Sequence, residues 1–292
     1  MAADRPRRVV WADAFTDTPL TGNPCAVVFD AADVPVETRL AFTRETKLSE
    51  CAFLVGSDKA DFGARYYLAS REIPMAGHPT VATAAALDRA GLLAGRSSFT
   101  LELGGGVFSV AIDREGPRPV YTMTQGRPVF GDHHDPALIG PLMGLPPDRI
   151  VGAPRTVSTG NPFCITRLRD HDALAEASLD TASMKAMWGR VDFLEPFVFV
   201  LGGFTERGAT AARLMLVPPE PLEDPFTGSA TGSMAAYAFA EGLVPRRFVA
   251  EQGHLMGRPG QAQVEVLGEP ERPEGVRVGG TAVVVMDGEV YL

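Results

Sequence analysis

A pattern of residues occurs twice in the chain, and this repeat limits the possible folds more than any other feature. In the first copy, Glu72 is followed by a Gly-X-X-Thr loop at residues 77–80, an alanine-rich run and Gly91. The second copy has the same features 151 positions later, from Glu223 to Gly242. A repeat of this length indicates a duplicated domain, because the units of a solenoid are only about 20 to 50 residues long.

A second repeated motif precedes each copy. Gly22-Asn23-Pro24 and Gly160-Asn161-Pro162 both lead into apolar segments, at an offset of 138, so the loops differ in length between the copies. We expect a first lobe of residues 1–124, joined by a C-terminal strand at 281–292, and a second lobe of residues 125–280. Two similar lobes that face each other form a cleft, so the sequence predicts the functional site where the two Gly-X-X-Thr loops meet.

The pattern along the chain predicts an α/β fold with many short strands and few helices. Each lobe is expected to wrap strands around one central helix, Pro79 to Ala90 in the first and Ser229 to Ala240 in the second. The first helix has only two charged residues, both near its end, and the second has none from position 230 onward. Both should therefore be buried on nearly all sides. A further helix is expected from Pro35 to Thr46, and the charged segment 268–275 is predicted to be a surface loop.

Composition excludes several classes of partner and site. The chain has 292 residues, 45% of them hydrophobic, which is enough for one or two full cores. Its formal net charge of −9 argues against nucleic-acid binding, which needs a basic face.

The sequence also gives no sign of a disulfide framework or a metal site. The three cysteines are too scattered for a disulfide framework. His133-His134-Asp135 is expected to be a solvated loop, so we expect no metal. No apolar run approaches the length of a membrane span, and Asp13 interrupts the only apolar stretch after the basic start, so we expect a cytoplasmic protein without a signal peptide.

The N-termini of the two central helices are predicted to bind an anion. The first backbone N–H groups of a helix lack partners within it, and the helix dipole adds positive charge there. A carboxylate fits such a site, so two of them predict a small acidic substrate. His78 is expected at or just before the N-cap, either as a neutral hydrogen-bond donor or proton relay or as an ordinary capping or core histidine. Its equivalent, Ser229, is expected from its residue type to be an N-cap.

Two carboxylates are candidates for acid and base chemistry. Asp224 stands beside Glu223 and before Pro225, where neighbouring carboxylates can divide acid and base work between them. The alternative is a simple Glu-Asp-Pro turn. Glu45 ends the helix that starts near Pro35, where the helix dipole and partial burial would favour its protonated form, as a base near neutral pH requires. Taken alone, its position fits an exposed helix glutamate better.

Five motifs resemble those of the phenazine biosynthesis PhzF-like family. In the family's order over nearly the whole chain they are Gly22-Asn23-Pro24, Glu45-Thr46-Lys47-Leu48-Ser49-Glu50, residues 72–80, residues 223–230, and Gln252-Gly253 with Gly257-Arg258-Pro259-Gly260. The family resembles diaminopimelate epimerase in fold, with two pseudo-symmetric α/β lobes, each a curled mixed sheet around a central helix, and the site between them. The resemblance thus implies the same architecture as the internal repeat.

The resemblance also implies a cofactor-independent isomerase that acts on a small carboxylate-bearing cyclic substrate. In the phenazine-pathway member, a glutamate at the position of Glu45 takes a proton from C3 of trans-2,3-dihydro-3-hydroxyanthranilate, and its transfer to C1 gives a ketone tautomer. A homodimer is also implied. The implied catalytic set is Glu45, His78, Asp224 and Ser229, and the implied substrate-binding set is Gly77, Gly228, Ser49 and Ala230.

Departures from the family pattern lie near the expected pocket and leave the substrate open. Residues 67–70 are Tyr-Leu-Ala-Ser where the family commonly has an aromatic-Thr-Pro turn, Cys51 replaces a usual Thr, and Lys47 stands where Asn is frequent. One alternative is an amino-acid epimerase or racemase of the same fold, which would need thiols in the loops that carry His78 and Ser229. Another is a non-catalytic protein that binds small anions. Pyridoxal phosphate and nucleotides are not expected, because the loops lack a lysine and the phosphate-binding glycine motifs are missing.

Overall fold

The computed structural model describes residues 5–292. Its α-helices are α1 (Val36–Thr46), α2 (Gly77–Arg89), α3 (Pro136–Leu142), α4 (His171–Glu176), α5 (Thr181–Met187) and α6 (Gly228–Ala240). Short 3₁₀ helices lie at Pro147–Arg149 and His254–Met256. In this described part of the chain, no helix combines the length and apolar composition that crossing a bilayer requires.

The strands are mostly short, as the sequence predicts. In chain order they are β1 (Pro6–Ala14), β2 (Asn23–Val28), β3 (Cys51–Val55), β4 (Phe62–Tyr67), β5 (Glu72–Ile73), β6 (Ser98–Leu103), β7 (Gly106–Asp113), β8 (Val120–Gln125), β9 (Val129–His133), β10 (Arg155–Ser158), β11 (Pro162–Arg167), β12 (Pro196–Leu201), β13 (Gly208–Met215), β14 (Glu223–Asp224), β15 (Arg247–Gln252), β16 (Gly260–Glu269), β17 (Arg272–Gly280) and β18 (Ala282–Tyr291).

The internal contacts divide the chain into two compact units. Unit 1 contains the described residues up to 124, together with residues 219–221 and 279–292. Unit 2 contains residues 125–218 and 222–278. Each unit has a mixed sheet and one buried central helix, so the α/β fold class expected from the sequence is confirmed.

In unit 1 the sheet has the strand order β18-β1-β2-β3-β4-β6-β7-β8. The pairs β2/β3 and β4/β6 are parallel, and the other neighbours are antiparallel. Parallel neighbours need a crossover connection, which α1 provides between β2 and β3. The connection from β4 to β6 contains α2 and the short β5, which pairs with the end of β4.

In unit 2 the order is β9-β10-β11-β12-β13-β15-β16. Here β11/β12 and β13/β15 are the parallel pairs, and β14 pairs with the end of β13. The connection from β13 to β15 contains α6. The pairing pattern of β1 to β7 is therefore repeated strand for strand in β10 to β16, as expected for two copies of one ancestral sequence.

Both central helices are buried along most of their length. Every residue of α2 from Gly77 to Leu87 is buried, and so is every residue of α6 from Gly228 to Phe239. The first helix packs on β1 and β2, and the second packs on the equivalent strands β10 and β11. The shortage of charged side chains in both helices allows this, because an unpaired buried charge is costly.

The two central helices also end in the same way. The N–H groups of Gly91 and Leu92 donate to the carbonyls of Asp88 and Leu87 at 2.9 and 3.0 Å, and the equivalent bonds within residues 238–243 are 3.0 and 2.8 Å. The glycines of the two turns have φ values of 77° and 67°. This is a Schellman motif, which favours glycine because a Cβ resists positive φ.

Some elements were not predicted from the sequence pattern. The short helices α3, α4 and α5 are too brief to show a periodic apolar face. Each begins after an aspartate N-cap whose side chain accepts from first-turn N–H groups, at Asp135, Asp170 and Asp180. These aspartates could have been used to predict where the three helices begin. The strands that were not predicted are β5, β9, β10, β14, β15 and β17.

The predicted surface loop at residues 268–275 is wrong. Strand β16 ends at Glu269 and β17 begins at Arg272, so only two residues connect them. In β17 the exposed Arg272, Glu274 and Arg277 are separated by buried residues. The charges therefore mark the exposed face of a strand, and they do not mark a loop.

The end of α2 is tied to the β7–β8 connection by Asp88. Its carboxylate accepts two hydrogen bonds from Arg114, at 2.7 and 3.0 Å, and one from the Tyr121 hydroxyl at 2.9 Å. The hydrogen bond from Arg114 is the main reason why the pKa of Asp88 lies below its ordinary value. A carboxyl with a lowered folded-state pKa stabilises the fold above its unfolded-state pKa, and this stabilisation is lost as the pH falls through the folded-state pKa.

We expect Asp88→Asn to lower the free energy of unfolding by about 1 kcal/mol near neutral pH, because these bonds are partly exposed and charge-assisted. The difference from wild type should shrink below about pH 4, as the wild-type carboxyl becomes protonated. Urea unfolding at several pH values measures it. The control is Asp58→Asn, at an exposed position of the same unit. A loss of stability in Asp88→Asn that does not change with pH would contradict the explanation.

Candidate active site

The first turn of α2 carries two of the predicted site residues. The helix begins at Gly77, after an N-cap at Ala76 whose extended backbone and methyl side chain provide no side-chain cap. His78 therefore lies inside the first turn and not at or before the N-cap, so its predicted position is wrong by about two residues. The early start is possible because Pro79 falls where backbone N–H groups have no partner within the helix.

The first turn of α6 repeats this arrangement. The helix begins at Gly228, and its N-cap is Thr227, which makes no side-chain cap. The prediction that Ser229 is the N-cap is therefore wrong, since it is the second residue of the helix, as His78 is in α2. Ser229 and Ala230 are both buried. Thr227 does not cap the helix because its hydroxyl bonds Asp224 at 2.5 Å.

His78 lies in a buried polar cluster of unit 1. Its Nδ1 atom is 2.9 Å from a carboxylate oxygen of Glu50 and 2.9 Å from the amide nitrogen of Asn23. The Ser49 hydroxyl donates to Asn23 Oδ1 at 3.4 Å. The His78 side chain is only 2% exposed and that of Glu50 is 15% exposed. Residues from the start of β2, the loop before β3 and the start of α2 thus converge on one imidazole.

Glu45 lies in the last turn of α1, shortly before the cluster residues Ser49 and Glu50 in the chain, and it is exposed. The burial that the sequence argument required for this carboxylate is therefore absent in the structure. The helix ends at the next residue, Thr46, because Lys47 adopts a left-handed conformation with φ of 58°. An exposed carboxylate at a helix end is free to reach a small molecule, and it can exchange protons with water.

Asp224 and its neighbour Glu223 have different environments in unit 2. Glu223 accepts two hydrogen bonds from Arg213, at 2.8 and 2.9 Å. This bidentate pair gives it a structural role. Asp224 is buried and accepts from Thr227, while its backbone carbonyl accepts from the Gln252 amide at 2.8 Å. Gln252 also accepts from the Thr227 N–H at 3.0 Å, so its amide fixes the whole turn that leads into α6.

A second glutamine supports the first turn of α6. The Gln125 amide donates to the Gly228 carbonyl at 2.8 Å, and its oxygen accepts from Thr159 at 2.5 Å. A Cβ placed on Gly232 would lie 1.9 Å from that oxygen. Because Gly232 has no side chain, it leaves space on the helix surface, and Gln125 occupies that space. At the equivalent position, 151 residues earlier, α2 has Val81.

Four polar residues with these supporting contacts were not assigned roles from the sequence. They are Asn23, Glu50, Gln125 and Gln252. Three belong to the motifs that resemble the PhzF-like family, so their place in a motif was a signal. Gln125 had no such signal, because it directly follows a strand that the apolar pattern predicts at residues 120–124 and lies in none of the motifs.

The unusual segment at residues 67–70 has a specific partner within unit 1. The N–H of Ala69 and the hydroxyl of Ser70 both donate to the Glu220 carboxylate, at 3.1 and 2.5 Å. Ala69 and Glu220 are themselves 151 positions apart. Within unit 1, Ser70 thus supplies a donor to the Glu220 carboxylate.

The cysteines are not placed in the Gly-X-X-Thr loops. All three are buried in strands β2, β3 and β11. Burial raises the pKa of Cys51 to about 11 and that of Cys164 to about 12, and it also raises the pKa of Cys25. All three are therefore thiols near neutral pH and are poorly suited to remove a proton. Within residues 5–292, no three acidic, histidine or cysteine side chains are grouped to hold a metal ion.

A family model described as phenazine biosynthesis-like protein matches residues 12–288. The chain belongs to this family. An uncharacterized isomerase of Mesorhizobium japonicum is 30% identical to it over 305 residues, which cover 98% of this chain and 99% of the relative. The trans-2,3-dihydro-3-hydroxyanthranilate isomerase of Pseudomonas aeruginosa is 29% identical, over 98% of this chain and 99% of the relative.

A solved structure agrees with this assignment. The crystal structure of a PhzF-family phenazine biosynthesis protein from Bacillus anthracis matches with a TM-score of 0.88 and 26% identity, and it covers 99% of this chain and 100% of its own. The protein is therefore an isomerase of the phenazine biosynthesis-like family. The family and the enzyme class predicted from the motifs are confirmed.

We expect Gly232→Ala in this phenazine biosynthesis-like isomerase to lower the free energy of unfolding by about 1–3 kcal/mol, because the new methyl group displaces Gln125 from its buried hydrogen bonds. This occurs although alanine favours a helix over glycine by about 1 kcal/mol. Chemical denaturation measures the change.

A double-mutant cycle identifies the cause of that loss. In a Gln125→Ala background, Gly232→Ala should lower the free energy of unfolding much less, because the Gln125 oxygen with which the new methyl group clashes is no longer present. Equal costs in the two backgrounds, or a Gly232→Ala protein as stable as wild type, would contradict the proposed fit between the two residues.

Proposed function

We propose that the protein moves a proton within a small carboxylate-bearing cyclic compound, similar to trans-2,3-dihydro-3-hydroxyanthranilate, without a cofactor. Glu45 acts as general base and then as general acid, in a cleft between two lobes. The cleft is proposed from the internal repeat of the sequence. The other residues that contact the substrate are His78, Asp224, Ser229, Gly77, Gly228, Ser49 and Ala230.

The observation that carries this proposal is the matched construction of the first turns of α2 and α6. Both begin with a glycine after an N-cap that makes no side-chain cap, and both place a polar side chain, His78 or Ser229, second in the helix. First-turn N–H groups and the helix dipole favour a carboxylate. A substrate with one carboxylate and an ionisable C–H bond suits such a pair of turns.

The chemistry requires no redox partner. One C–H bond breaks, another C–H bond forms, and the electrons of the intervening double bond shift between them, so oxidation state is conserved. Glu45 takes the proton in its carboxylate form and returns it from its carboxylic acid form. Charge that develops on the substrate is stabilised by backbone N–H groups and by the polar side chains around it.

We expect Glu45→Gln to abolish substrate-dependent uptake of deuterium from D₂O, with a fall in rate of about 10²-fold or more, because the amide cannot accept the proton. The probes are trans-2,3-dihydro-3-hydroxyanthranilate and then small cyclic and amino acids, followed by NMR. The matched control is Glu37→Gln, which removes an exposed glutamate at the other end of the same helix.

The outcomes separate the candidate functions. Isomerisation of the first compound that depends on Glu45 supports the whole proposal, and activity only on another compound supports the mechanism with a different substrate. Exchange that survives Glu45→Gln would remove Glu45 as the base. Failure to exchange or isomerise any compound would favour the non-catalytic anion-binding protein.

The alternative function, an amino-acid epimerase, predicts that turnover depends on cysteines, because such an enzyme uses two cysteines as acid and base. We expect Cys25→Ala, Cys51→Ala and Cys164→Ala each to retain turnover within about threefold of wild type, since their burial and raised pKa values keep them protonated. Circular dichroism controls for folding. Loss of turnover by about 10²-fold in a folded cysteine variant would favour thiol chemistry instead. The homodimer and the cytoplasmic location stay predictions.

A further inference from the structure

The Glu50–His78 contact connects the loop before β3 to the first turn of α2. Glu50 Oε2 lies 2.9 Å from His78 Nδ1, which is the distance of a charge-assisted hydrogen bond. Both side chains are buried or nearly so. Within the described residues 5–292, the ionic partner of Glu50 is His78.

An ionised carboxylate accepts hydrogen bonds and cannot donate them. A hydrogen bond between Glu50 and Nδ1 therefore requires the proton to lie on Nδ1. The amide nitrogen of Asn23 is also 2.9 Å from Nδ1 and could donate to it only if the ring nitrogen were bare. A bare nitrogen would then direct its lone pair at the Glu50 carboxylate, which is electrostatically unfavourable in a buried site.

Three other titratable groups lie near Glu50, and none of them offsets its charge. Cys25, Cys51 and Tyr66 are buried close to it, and the negative charge of Glu50 adds to the burial that raises the pKa of each. All three therefore remain neutral near neutral pH. Thiols and phenols carry no positive charge in any protonation state, so these groups do not offset the carboxylate charge, whereas the His78 imidazole lies within hydrogen-bond distance of it.

We propose that Glu50 is a positioning residue that holds the His78 ring with its proton on Nδ1, so that Nε2 acts as the hydrogen-bond or proton acceptor. This agrees with the proton relay expected from the sequence and differs from its alternative, a neutral donor, because a neutral ring in this state donates to Glu50 and accepts through Nε2. The partner set by such a bond determines which nitrogen is available for chemistry.

The catalytic meaning of this state rests on the proposed function. An acceptor at His78 suits a substrate that presents a hydroxyl, ammonium or C–H proton, and it makes His78 a second group able to move a proton beside Glu45. The protonation state itself is a property of the protein alone. It can therefore be tested without a substrate, and its failure is distinct from failure of the proposed isomerase reaction.

The test is a long-range ¹H–¹⁵N spectrum of the protein labelled in its five histidine rings, recorded at about pH 8, where an ordinary imidazole is neutral. Protonated and bare ring nitrogens have widely separated ¹⁵N shifts, so the spectrum reports which atom carries the proton. The resonances of His78 are those that disappear in His78→Gln. Wild type is expected to show a protonated Nδ1 and a bare Nε2.

Three variants test the role of Glu50. Glu50→Gln removes the charge and should populate the state with the proton on Nε2, since either neighbouring amide can then donate to a bare Nδ1. Glu50→Asp keeps a carboxylate and should retain the proton on Nδ1. Glu37→Gln, at an exposed glutamate of unit 1, should match wild type.

Two results would overturn the inference. A bare Nδ1 in wild type would refute the hydrogen-bond assignment, and this outcome needs no variant to fold. The same His78 pattern in wild type and in folded Glu50→Gln would show that Glu50 does not set the protonation state.

Discussion

The burial of two almost uncharged helices is the constraint on which the rest of the structure depends. An alanine-rich helix without charged side chains must be covered on all sides, and the mixed sheet of each unit provides that cover. Once the sides of a helix are packed, its polar groups are concentrated at its ends. The candidate residues His78 and Ser229 lie in the first turns of these helices, and the C-terminal ends are closed by glycine turns of the same type.

The duplicated scaffold supports two different sets of polar residues. At the second position of the helix, α2 has a histidine in contact with Glu50, whereas α6 has a serine. The support also differs, because Gly232 leaves room for a buried glutamine where α2 has Val81. Small side-chain changes on one backbone can thus give two helix termini distinct roles without a change in fold.

Patterns with a long period were predicted best from the sequence. The repeat and the apolar runs identified the main strands and both central helices, because burial imposes a pattern over ten or more residues. Helix starts were predicted less well: a proline and a serine suggested boundaries, yet both helices begin one or two residues earlier, at glycines. Brief elements such as α4 were missed, since six residues give too little periodicity to distinguish them from a loop.

The sequence by itself determined the duplication, the α/β class, the membership of an isomerase family and the set of candidate residues, because these depend on residue identity and spacing along the chain. Only the tertiary structure decided which of those residues share an environment. Glu50 meets His78, Gln252 supports Asp224, and Gln125 fills the space at Gly232. Such contacts join residues that no periodicity relates, since a hydrogen bond depends on the position of two atoms in space, and that position is fixed only when the whole sheet has formed around its helix.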